Sequence, residues 1–349
     1  KPLSADPYLA PYLPAIAQRQ RRLVEAERRL TGGTRALQDF AAGHTHFGLH
    51  RQADGSWIFR EWAPHATAIS LVGEFSGWEE RPELALQRLD AHGAWELRLP
   101  AGRLRHGMLY RLRMHWKDGS GDRLPAYARR VVQDEHTQIF NAQVWAPDQA
   151  HAWRHPVPAA VGAPLIYEAH VGMAQEREGV GSFREFRERI LPRIAANGYN
   201  IVQLMAVAEH PYYGSFGYHV SNFFAVSSRF GTPEEFKELV DAAHGLGLRV
   251  VMDLVHSHAV KNEVEGLGRF DGTRHQYFHA GSRGYHEGWD SYCFDYGKPE
   301  VLHFLLSNCR FWLDEYRIDG FRFDGITSML YRHHGMNHAF SGYGEYFGD

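Results

Sequence analysis

The sequence has few cysteines, no long apolar run and little excess charge. It contains 2 cysteines in 349 residues, Cys293 and Cys309, which are too few for a disulfide scaffold. No apolar run approaches the roughly 20 residues that a membrane-spanning helix needs. The net charge of -3 gives no electrostatic reason to expect nucleic acid or an anionic membrane as a partner. We therefore expect an intracellular location, in the cytoplasm or, in a plant or alga, in the plastid.

The composition is typical of a globular protein with large cores. Apolar residues make up 44% of the chain and charged residues 23%, and the length suits two or three domains. The aromatic content of 13%, with 9 tryptophans, suits a carbohydrate-binding protein. Large cores use aromatic side chains as well, so the composition alone does not decide between the two.

Residues 1–42 are predicted to form a basic helical segment. Ile16, Leu23 and Leu30 recur every seven residues and share one apolar stripe. This stripe predicts that the segment packs on a neighbouring domain. The arginines beside it are expected to form a solvated face.

Residues 43–147 have the pattern of a small antiparallel β-sandwich. Runs of alternating apolar and polar residues at 57–62, 68–72 and 95–99 are separated by turns that contain glycine. Strands of this kind bury one face and expose the other, which predicts two sheets packed around a shared core.

Residues 148–349 instead alternate predicted strands with predicted helices. The strands are nearly all apolar, which predicts a parallel sheet covered by helices. The predicted strands are 165–171, 201–207, 248–256 and 321–324, and the helices are 182–196 and those beginning at Thr232 and Pro299. The connection 257–298 is too long for a simple loop and is expected to form part of a cleft wall.

The run Gly320-Phe321-Arg322-Phe323-Asp324 is the strongest chemical signal in the chain. Residues two apart on a strand point to the same side, so Arg322 and Asp324 should lie together in a cleft. Phe321 and Phe323 should form a buried aromatic layer on the other side. An ionised carboxylate beside a guanidinium can act as a nucleophile towards a sugar carbon.

Several blocks of the sequence resemble the glucan-branching enzymes of glycoside hydrolase family 13, in the α-amylase superfamily. The blocks are Asp253–His258, Gly320–Asp324, Gly214–His219, Thr327–Gly335 with Gly344–Gly348, and, in the sandwich, Trp62–Pro64 with Gly73–Trp78. The sandwich blocks resemble a carbohydrate-binding module of family 48. The resemblance implies that 148–349 is the first half of a (β/α)8 TIM-type barrel, whose active site lies at the carboxyl ends of the strands.

The resemblance also implies a role for each matching residue. Asp324 would be the nucleophile that forms a covalent glucosyl intermediate, and Arg322 would orient it. Asp253 and His258 would form hydrogen bonds with the hydroxyls of the bound sugar. Tyr218 would supply a stacking platform. The implied reaction transfers an α-1,4-linked glucan chain to a 6-hydroxyl, with glycogen, amylose or amylopectin as the polysaccharide partner.

Four further residues are candidates for substrate binding. Trp289, Asp290 and Ser291 could line the donor groove, although a tryptophan that anchors a long loop is an equal alternative. Trp62 is the first candidate among the sandwich tryptophans for contact with glucan at the surface.

Neither a cofactor nor a metal ion is expected. His256 and His258 could in principle share a zinc ion, but no third ligand is evident. Ser257 stands where many amylases have an asparagine that helps to bind calcium, which argues against calcium. His333 and His334 are expected to be structural.

The chain lacks two parts of the family's catalytic apparatus. The family uses a general-acid glutamate after the fifth strand and a His-Asp pair after the seventh, whereas this chain stops at Asp349. We expect the chain to be part of a longer polypeptide that completes the barrel, and to have no transferase activity alone. The alternatives are a debranching hydrolase of the same superfamily and a non-catalytic glycogen-binding scaffold.

Overall fold

The computed structural model describes residues 6–159 and 162–347. The first five residues of the predicted helical segment, and Gly348 and Asp349 at the other end, lie outside the described residues. None of the helices within these ranges combines the length and the apolar character needed to cross a bilayer.

In the described residues, a short 3-10 helix at Ala10–Tyr12 and the α-helices α1 at Leu13–Thr31, α2 at Leu37–Phe40 and α3 at Gly43–His46 precede the sandwich. The sequence predicted that an apolar stripe on α1 would pack on a neighbouring domain, and this prediction is met only in part, since Ile16 and Leu30 are half-buried and Tyr12, just before α1, stacks on Phe347. Leu23 is 70% exposed, and Thr31 is the residue of α1 that is buried. A seven-residue spacing places side chains on one face but does not supply a surface to cover them.

The sandwich consists of two antiparallel sheets. Its strands are β1 Gly48–Arg51, β2 Trp57–Trp62, β3 Ala66–Gly73, β4 Gln87–Arg88, β5 Ala94–Leu99, β6 Leu109–Trp116, β7 Gly119–Arg123, β8 Val131–Gln133 and β9 Phe140–Gln143. One sheet has the order β1-β2-β5-β4, and the other has the order β3-β6-β9-β8 with β7 paired to β6. In β2, buried and half-buried residues alternate as the sequence pattern predicted.

Glu61 is a fully buried carboxyl group where the sandwich meets the chain that leads to the barrel. Its two oxygens accept hydrogen bonds from the backbone N–H groups of Trp62 and Ala126, both at 2.9 Å. Burial raises the pKa of Glu61 to about 8, against the two hydrogen bonds, which lower it. The side chain therefore holds a proton at neutral pH.

Glu61 should make the stability of the protein depend on pH. The pKa of Glu61 is near 4.5 in the unfolded chain and about 8 in the folded protein. The contribution of its bound proton to the free energy of unfolding is therefore complete below about pH 4.5 and is lost as the pH rises through 8. Each unit of pKa difference corresponds to about 1.4 kcal/mol in the free energy of unfolding. Glu61→Gln should flatten this decline, as measured by urea denaturation across the pH range. Glu79→Gln, on the sandwich surface, is the matched control, and equal slopes in wild type and Glu61→Gln would contradict the prediction.

The remaining strands include a four-stranded parallel sheet. They are β10 Ile166–Ala169, β11 Ile201–Leu204, β12 Ala208–Glu209, β13 Asn222–Val226, β14 Arg249–Leu254, β15 Ala259–Val260, β16 Tyr285–His286, β17 Ser291–Tyr292 and β18 Gly320–Phe323. The parallel sheet has the order β10-β11-β14-β18. Small antiparallel sheets, β12-β13 and β15-β17-β16, follow the carboxyl ends of its strands.

Helices lie between the strands of this part of the chain and after the last of them. They are α4 Phe183–Glu185, α5 Leu191–Ala196, α6 Pro233–Gly245, α7 Pro299–Tyr316, α8 Ile326–Leu330 and α9 Tyr343–Phe347. The predicted capping box of α6 is present, since Thr232 and Glu235 each accept from the other's backbone N–H. The helix predicted over 182–196 is interrupted by a π-helical turn at Phe186–Ile190. Pro192 lies just beyond this turn and lacks the N–H that a regular α-helix needs.

The predicted fold class is confirmed: a helical segment is followed by a β-sandwich and part of a strand-helix barrel, and the sandwich and the barrel part share one hydrophobic core. Tyr127 joins the sandwich to the barrel, with its ring stacked on Phe224 at 4.6 Å and edge-on to Phe304 at 5.2 Å. The domain boundaries at residues 42 and 147 stay predictions.

The aromatic layer predicted behind Arg322 and Asp324 is only partly formed. Phe321 is half-buried, but Phe323 is 39% exposed. The reason is that β18 is the edge strand of the parallel sheet among the described residues, so its far side has no neighbouring strand.

Candidate active site

Arg322 holds two carboxylates at the carboxyl end of the parallel sheet. Its Nη1 donates to Asp324 Oδ1 at 2.8 Å and to Asp253 Oδ2 at 3.0 Å. The register aligns Asp253 on β14 with Arg322 on β18, and the backbone N–H of Asp324 donates to Leu254, which extends the pairing by one residue. Partial burial opposes the charged form, but the two carboxylates raise the pKa of Arg322 above its usual value.

Asp253 is the buried member of this pair, with a side chain that is 0% exposed. It accepts from Arg322, from the Tyr218 hydroxyl at 2.7 Å and from the Gln203 amide at 2.9 Å. Burial raises the pKa of Asp253, while Tyr218 and Arg322 act in the opposite direction. Burial, together with the bond to Asp253, raises the pKa of Tyr218, so that its hydroxyl stays a donor.

His258 is buried beside these groups, and both of its ring nitrogens have partners. Nε2 lies 2.9 Å from the carbonyl oxygen of Tyr218, which can only accept. Nε2 therefore carries the proton, and Nδ1 accepts from the Ser257 hydroxyl at 2.9 Å. Burial lowers the pKa of His258 to about 4, so the ring is neutral at physiological pH. The predicted contact of His258 with a sugar would require one of these bonds to be exchanged.

An open cavity of about 520 Å³ lies in front of Asp324. It is lined by Tyr218, His219, His258, Gly288, Trp289, Asp290, Asp324 and Gly325. The cavity thus joins three of the motif segments, Gly214–His219, Asp253–His258 and Gly320–Asp324, to the long connection 257–298. Gly325 is required at its place, because a Cβ there would lie 2.8 Å from the Trp289 ring and its φ is +63°.

Trp289 both lines the cavity and anchors the long connection. Its ring stacks on His286 with 3.9 Å between centroids and 9° between planes, and it tilts against His258 at 4.8 Å. His286 also accepts from the backbone N–H of Trp289 at 3.2 Å. The ring therefore anchors the long connection and also lines the cavity, while its place in a donor groove stays a prediction.

Asp290 also lines the cavity, whereas Ser291 does not. Asp290 pairs with Lys261 and accepts from the Tyr285 hydroxyl, and these two contacts, the one from Lys261 first, lower its pKa. Ser291 is fully buried, and its hydroxyl donates to the carbonyl of Trp289 at 2.8 Å. The prediction that Ser291 faces substrate is wrong, because its side chain lies on the inner side of β17.

Trp62 lies apart from this cavity. Its indole Nε1 donates to the carbonyl of His92 at 2.9 Å. With Phe47 and Tyr127 it lines a second, mainly apolar cavity of about 240 Å³, between the sandwich and the start of α7. A role for Trp62 in glucan binding therefore concerns a separate site.

His256 and His334 are hydrogen-bonded outside the cavity that His258 lines. His256 is bonded to Asn308 of α7 at 2.8 Å, away from the partners of His258. Nε2 of His334 lies 3.0 Å from the carbonyl oxygen of Arg283, and its Nδ1 lies 3.4 Å from the Ser328 hydroxyl, which can donate to it. Across residues 6–159 and 162–347, no three His, Cys, Asp or Glu side chains are grouped so that they could hold a metal ion.

The sequence did not predict two hydrogen bonds that Gln203 donates beside the site. Gln203, on β11, donates to Asp253, and it also donates to Glu168 on β10 at 3.2 Å. The available signal was a single glutamine inside the apolar run Ile201-Val202-Gln203-Leu204.

Comparisons with known proteins find two family models that match parts of this sequence, and relatives that match nearly all of it. The family model "Carbohydrate-binding module 48 (Isoamylase N-terminal domain)" matches residues 46–128, and "Alpha amylase, catalytic domain" matches residues 191–279. The chain is 48% identical, over 99% of its length, to the 1,4-alpha-glucan-branching enzyme of Yarrowia lipolytica, of which it covers 51%. It is 47% identical, over 99% of its length, to that of Solanum tuberosum, of which it covers 42%. The chain thus spans about half the length of the relatives it matches.

Solved structures resemble the chain more distantly. A putative alpha amylase from Salmonella typhimurium superposes with a TM-score of 0.67 at 26% identity, over 81% of this chain and 44% of the other. A pullulanase from Bacillus acidopullulyticus also gives a TM-score of 0.67, at 21% identity, over 81% of this chain and 38% of the other. The second likeness concerns the fold alone.

Proposed function

We propose, from the similarity of this chain to 1,4-alpha-glucan-branching enzymes and from its alpha-amylase match, that it carries the nucleophile half of a glucan-branching active site. The observation that carries the proposal is the Arg322 guanidinium, which bridges Asp324 and the buried Asp253 at the mouth of an open cavity. The proposed substrate is an α-glucan such as glycogen, amylose or amylopectin. The proposed location is the cytoplasm or a plastid.

The proposed reaction is a double displacement. Asp324 attacks the anomeric carbon of an α-1,4 linkage, and the bond to the leaving oxygen breaks as an acid protonates that oxygen. The 6-hydroxyl of a second glucan chain then attacks the anomeric carbon, gives its proton to the conjugate base of that acid, and displaces the Asp324 carboxylate to form the α-1,6 bond. The two inversions retain the configuration at the anomeric carbon.

The surroundings of Asp324 support its role as nucleophile. Asp324 is half-buried, accepts from Arg322 and faces the cavity rather than the core. The hydrogen bond from Tyr218 to Asp253 fixes the aromatic ring that lines the cavity next to it. The sugar is proposed to stack on this ring, while Arg322 keeps the attacking oxygen in place.

The rest of the barrel is the proposed partner of the sheet's open edges. On the β18 side, Phe323, Ile326 and Leu330 are exposed, and on the β10 side Ile166 and Tyr167 are exposed. Edge strands with exposed apolar side chains favour pairing with further strands. Strands that continue the barrel would cover these side chains and would carry the general acid.

Amylose incubated with an active polypeptide that carries these residues tests the proposed function. Branching lowers the iodine stain and raises the content of α-1,6 bonds without releasing reducing ends in proportion. A debranching hydrolase would release reducing sugar without new branches, and a glycogen-binding scaffold would bind amylose and leave it unchanged. No separate observation favours either alternative.

A second prediction concerns Trp62 and the separate cavity at the sandwich. Trp62→Ala should weaken the binding of maltoheptaose by roughly threefold to tenfold, since an indole ring stacks on the apolar face of a glucose unit. Isothermal titration calorimetry measures the change. Trp78→Ala is the matched control, because Trp78 is a tryptophan of the same sandwich that is 38% exposed outside this cavity. Equal affinities in wild type and Trp62→Ala would refute the role of Trp62.

A further inference from the structure

A line of polar side chains crosses the parallel sheet, with at least one from each strand. Glu168 on β10 accepts from Gln203 on β11 at 3.2 Å, and Gln203 donates to Asp253 on β14 at 2.9 Å. Asp253 in turn accepts from Arg322 on β18 at 3.0 Å, and Arg322 donates to Asp324 at 2.8 Å. The line begins at one edge of the sheet and ends at the candidate nucleophile.

The strand register explains how these side chains meet. Glu168 is paired with Gln203, and Asp253 is paired with Arg322, in the parallel ladder. Gln203 is paired with Val251, two residues before Asp253, so Gln203 and Asp253 point to the same face of the sheet. The glutamine side chain is long enough to reach the carboxylate one level further along β14.

A glutamine fits between two carboxylates for a chemical reason. Carboxylates only accept hydrogen bonds, and the amide nitrogen of Gln203 has two hydrogens, one for each neighbour. A glutamate at this place would bring a third carboxylate within hydrogen-bond distance of the other two and would repel both. An aliphatic residue would leave one oxygen of the buried Asp253 without its donor, since Gln203 is the partner of Oδ1.

We propose that Gln203 is a positioning residue, which holds Asp253 in place for Arg322 and Asp324 and couples Glu168 to Asp253. Gln203 acts through Asp253 and does not itself line the cavity. The role of Asp253 in catalysis rests on the proposed function. The coupling between Glu168 and Asp253 through Gln203 depends only on the geometry of the sheet. Neither Gln203 nor Glu168 belongs to the sequence blocks that carry the family resemblance.

The charged and titratable groups around Asp253 give the sign of each expected effect. Tyr218 and Arg322 stabilise the ionised form of Asp253, while Glu168 and Asp324 oppose it. Gln203 donates to the ionised carboxylate and should stabilise it as well. Loss of the Gln203 amide should therefore raise the pKa of Asp253, and loss of the Glu168 charge should lower it.

The test is a ¹³C NMR titration of the Asp253 carboxyl group in aspartate-labelled protein, with Asp253→Asn used for assignment. Gln203→Leu should raise the pKa of Asp253 by about one to two units, the size expected for one hydrogen bond to a charged group. Glu168→Gln should lower it by less, because Glu168 is exposed and solvent screens its charge. The Glu168→Gln shift should shrink in the Gln203→Leu background, which is the signature of coupling through Gln203.

An unchanged pKa of Asp253 in folded Gln203→Leu protein would overturn the positioning role. A Glu168→Gln shift of equal size with and without Gln203 would overturn the coupling. Should Gln203→Leu fail to fold, Gln203→Glu, which has the same shape, should raise the pKa of Asp253 further, and no change there would also overturn the proposal. These readouts need no catalytic turnover, so a protein that does not branch glucan would refute the proposed function without affecting this result.

Discussion

Asp324→Asn should abolish glucan-chain transfer, with a loss in rate on the order of 10⁴-fold or more, while the affinity for maltoheptaose changes little. The amide has the same shape as the carboxylate and can still accept from Arg322, but it cannot form the glucosyl ester. The measurement is the rate of α-1,6 bond formation from amylose, in an active polypeptide that carries these residues. Isothermal titration calorimetry gives the affinity.

Asp314→Asn is the matched control for this substitution. Asp314 is an exposed aspartate on α7 that pairs with Arg310, and it does not line the cavity. Its replacement should leave the rate of transfer within a factor of about two, as for most surface substitutions. A near-normal rate in Asp324→Asn would eliminate Asp324 as the nucleophile. A joint loss of rate and binding would mean that the substitution damages the site as a whole.

The contact between Arg322 and Asp324 could be predicted because it depends on local geometry. Side chains two residues apart on a strand point the same way, and the hydrogen bond between them is present. The catalytic roles of these residues stay predictions. The fold class could be predicted for a similar reason, since alternation within strands and the capping box at Thr232 are local signals.

The parts of the site that could not be predicted depend on the register between distant strands. The contact between Gln203 and Asp253 joins residues 50 positions apart in sequence, and nothing near Gln203 indicates its partner. The exposure of Phe323 follows from the position of β18 at the edge of the sheet, which its own sequence does not encode. Likewise, Ser291 is buried because β17 pairs with β15 and β16, and the sequence around Ser291 does not indicate this pairing.

The second large effect concerns the 349-residue chain on its own, which should form no α-1,6 bonds from amylose. Retaining transfer needs a second carboxyl group about 5 to 5.5 Å from the nucleophile, and that group must donate a proton to the leaving oxygen. Asp290 and Asp324 are the carboxylates that line the cavity in the described part of the chain. Contacts from Lys261 and Tyr285 lower the pKa of Asp290, which makes it a poor acid.

Asp253 cannot replace the missing acid either, although burial raises its pKa. All three of its protein partners, Gln203, Tyr218 and Arg322, donate to it, and this arrangement fits a carboxylate rather than a protonated acid. A proton on Asp253 would remove the acceptor from at least one of these donors. In the proposed mechanism, the described residues supply the nucleophile and its positioning groups, and the proton comes from a group outside them.

The chain alone could be inactive because the acid is missing or because the site is damaged. A substrate whose leaving group needs no protonation distinguishes these two explanations. Fluoride departs without acid assistance, so α-maltosyl fluoride should release fluoride slowly with the 349-residue chain, whereas amylose should not react. Asp324→Asn in the same chain should stop that release, because the attacking oxygen is then an amide oxygen. Branching of amylose by the chain alone would refute the argument, since it would require a working acid among Asp253, Asp290 and their neighbours. Fluoride release that persists in Asp324→Asn would locate the nucleophile elsewhere.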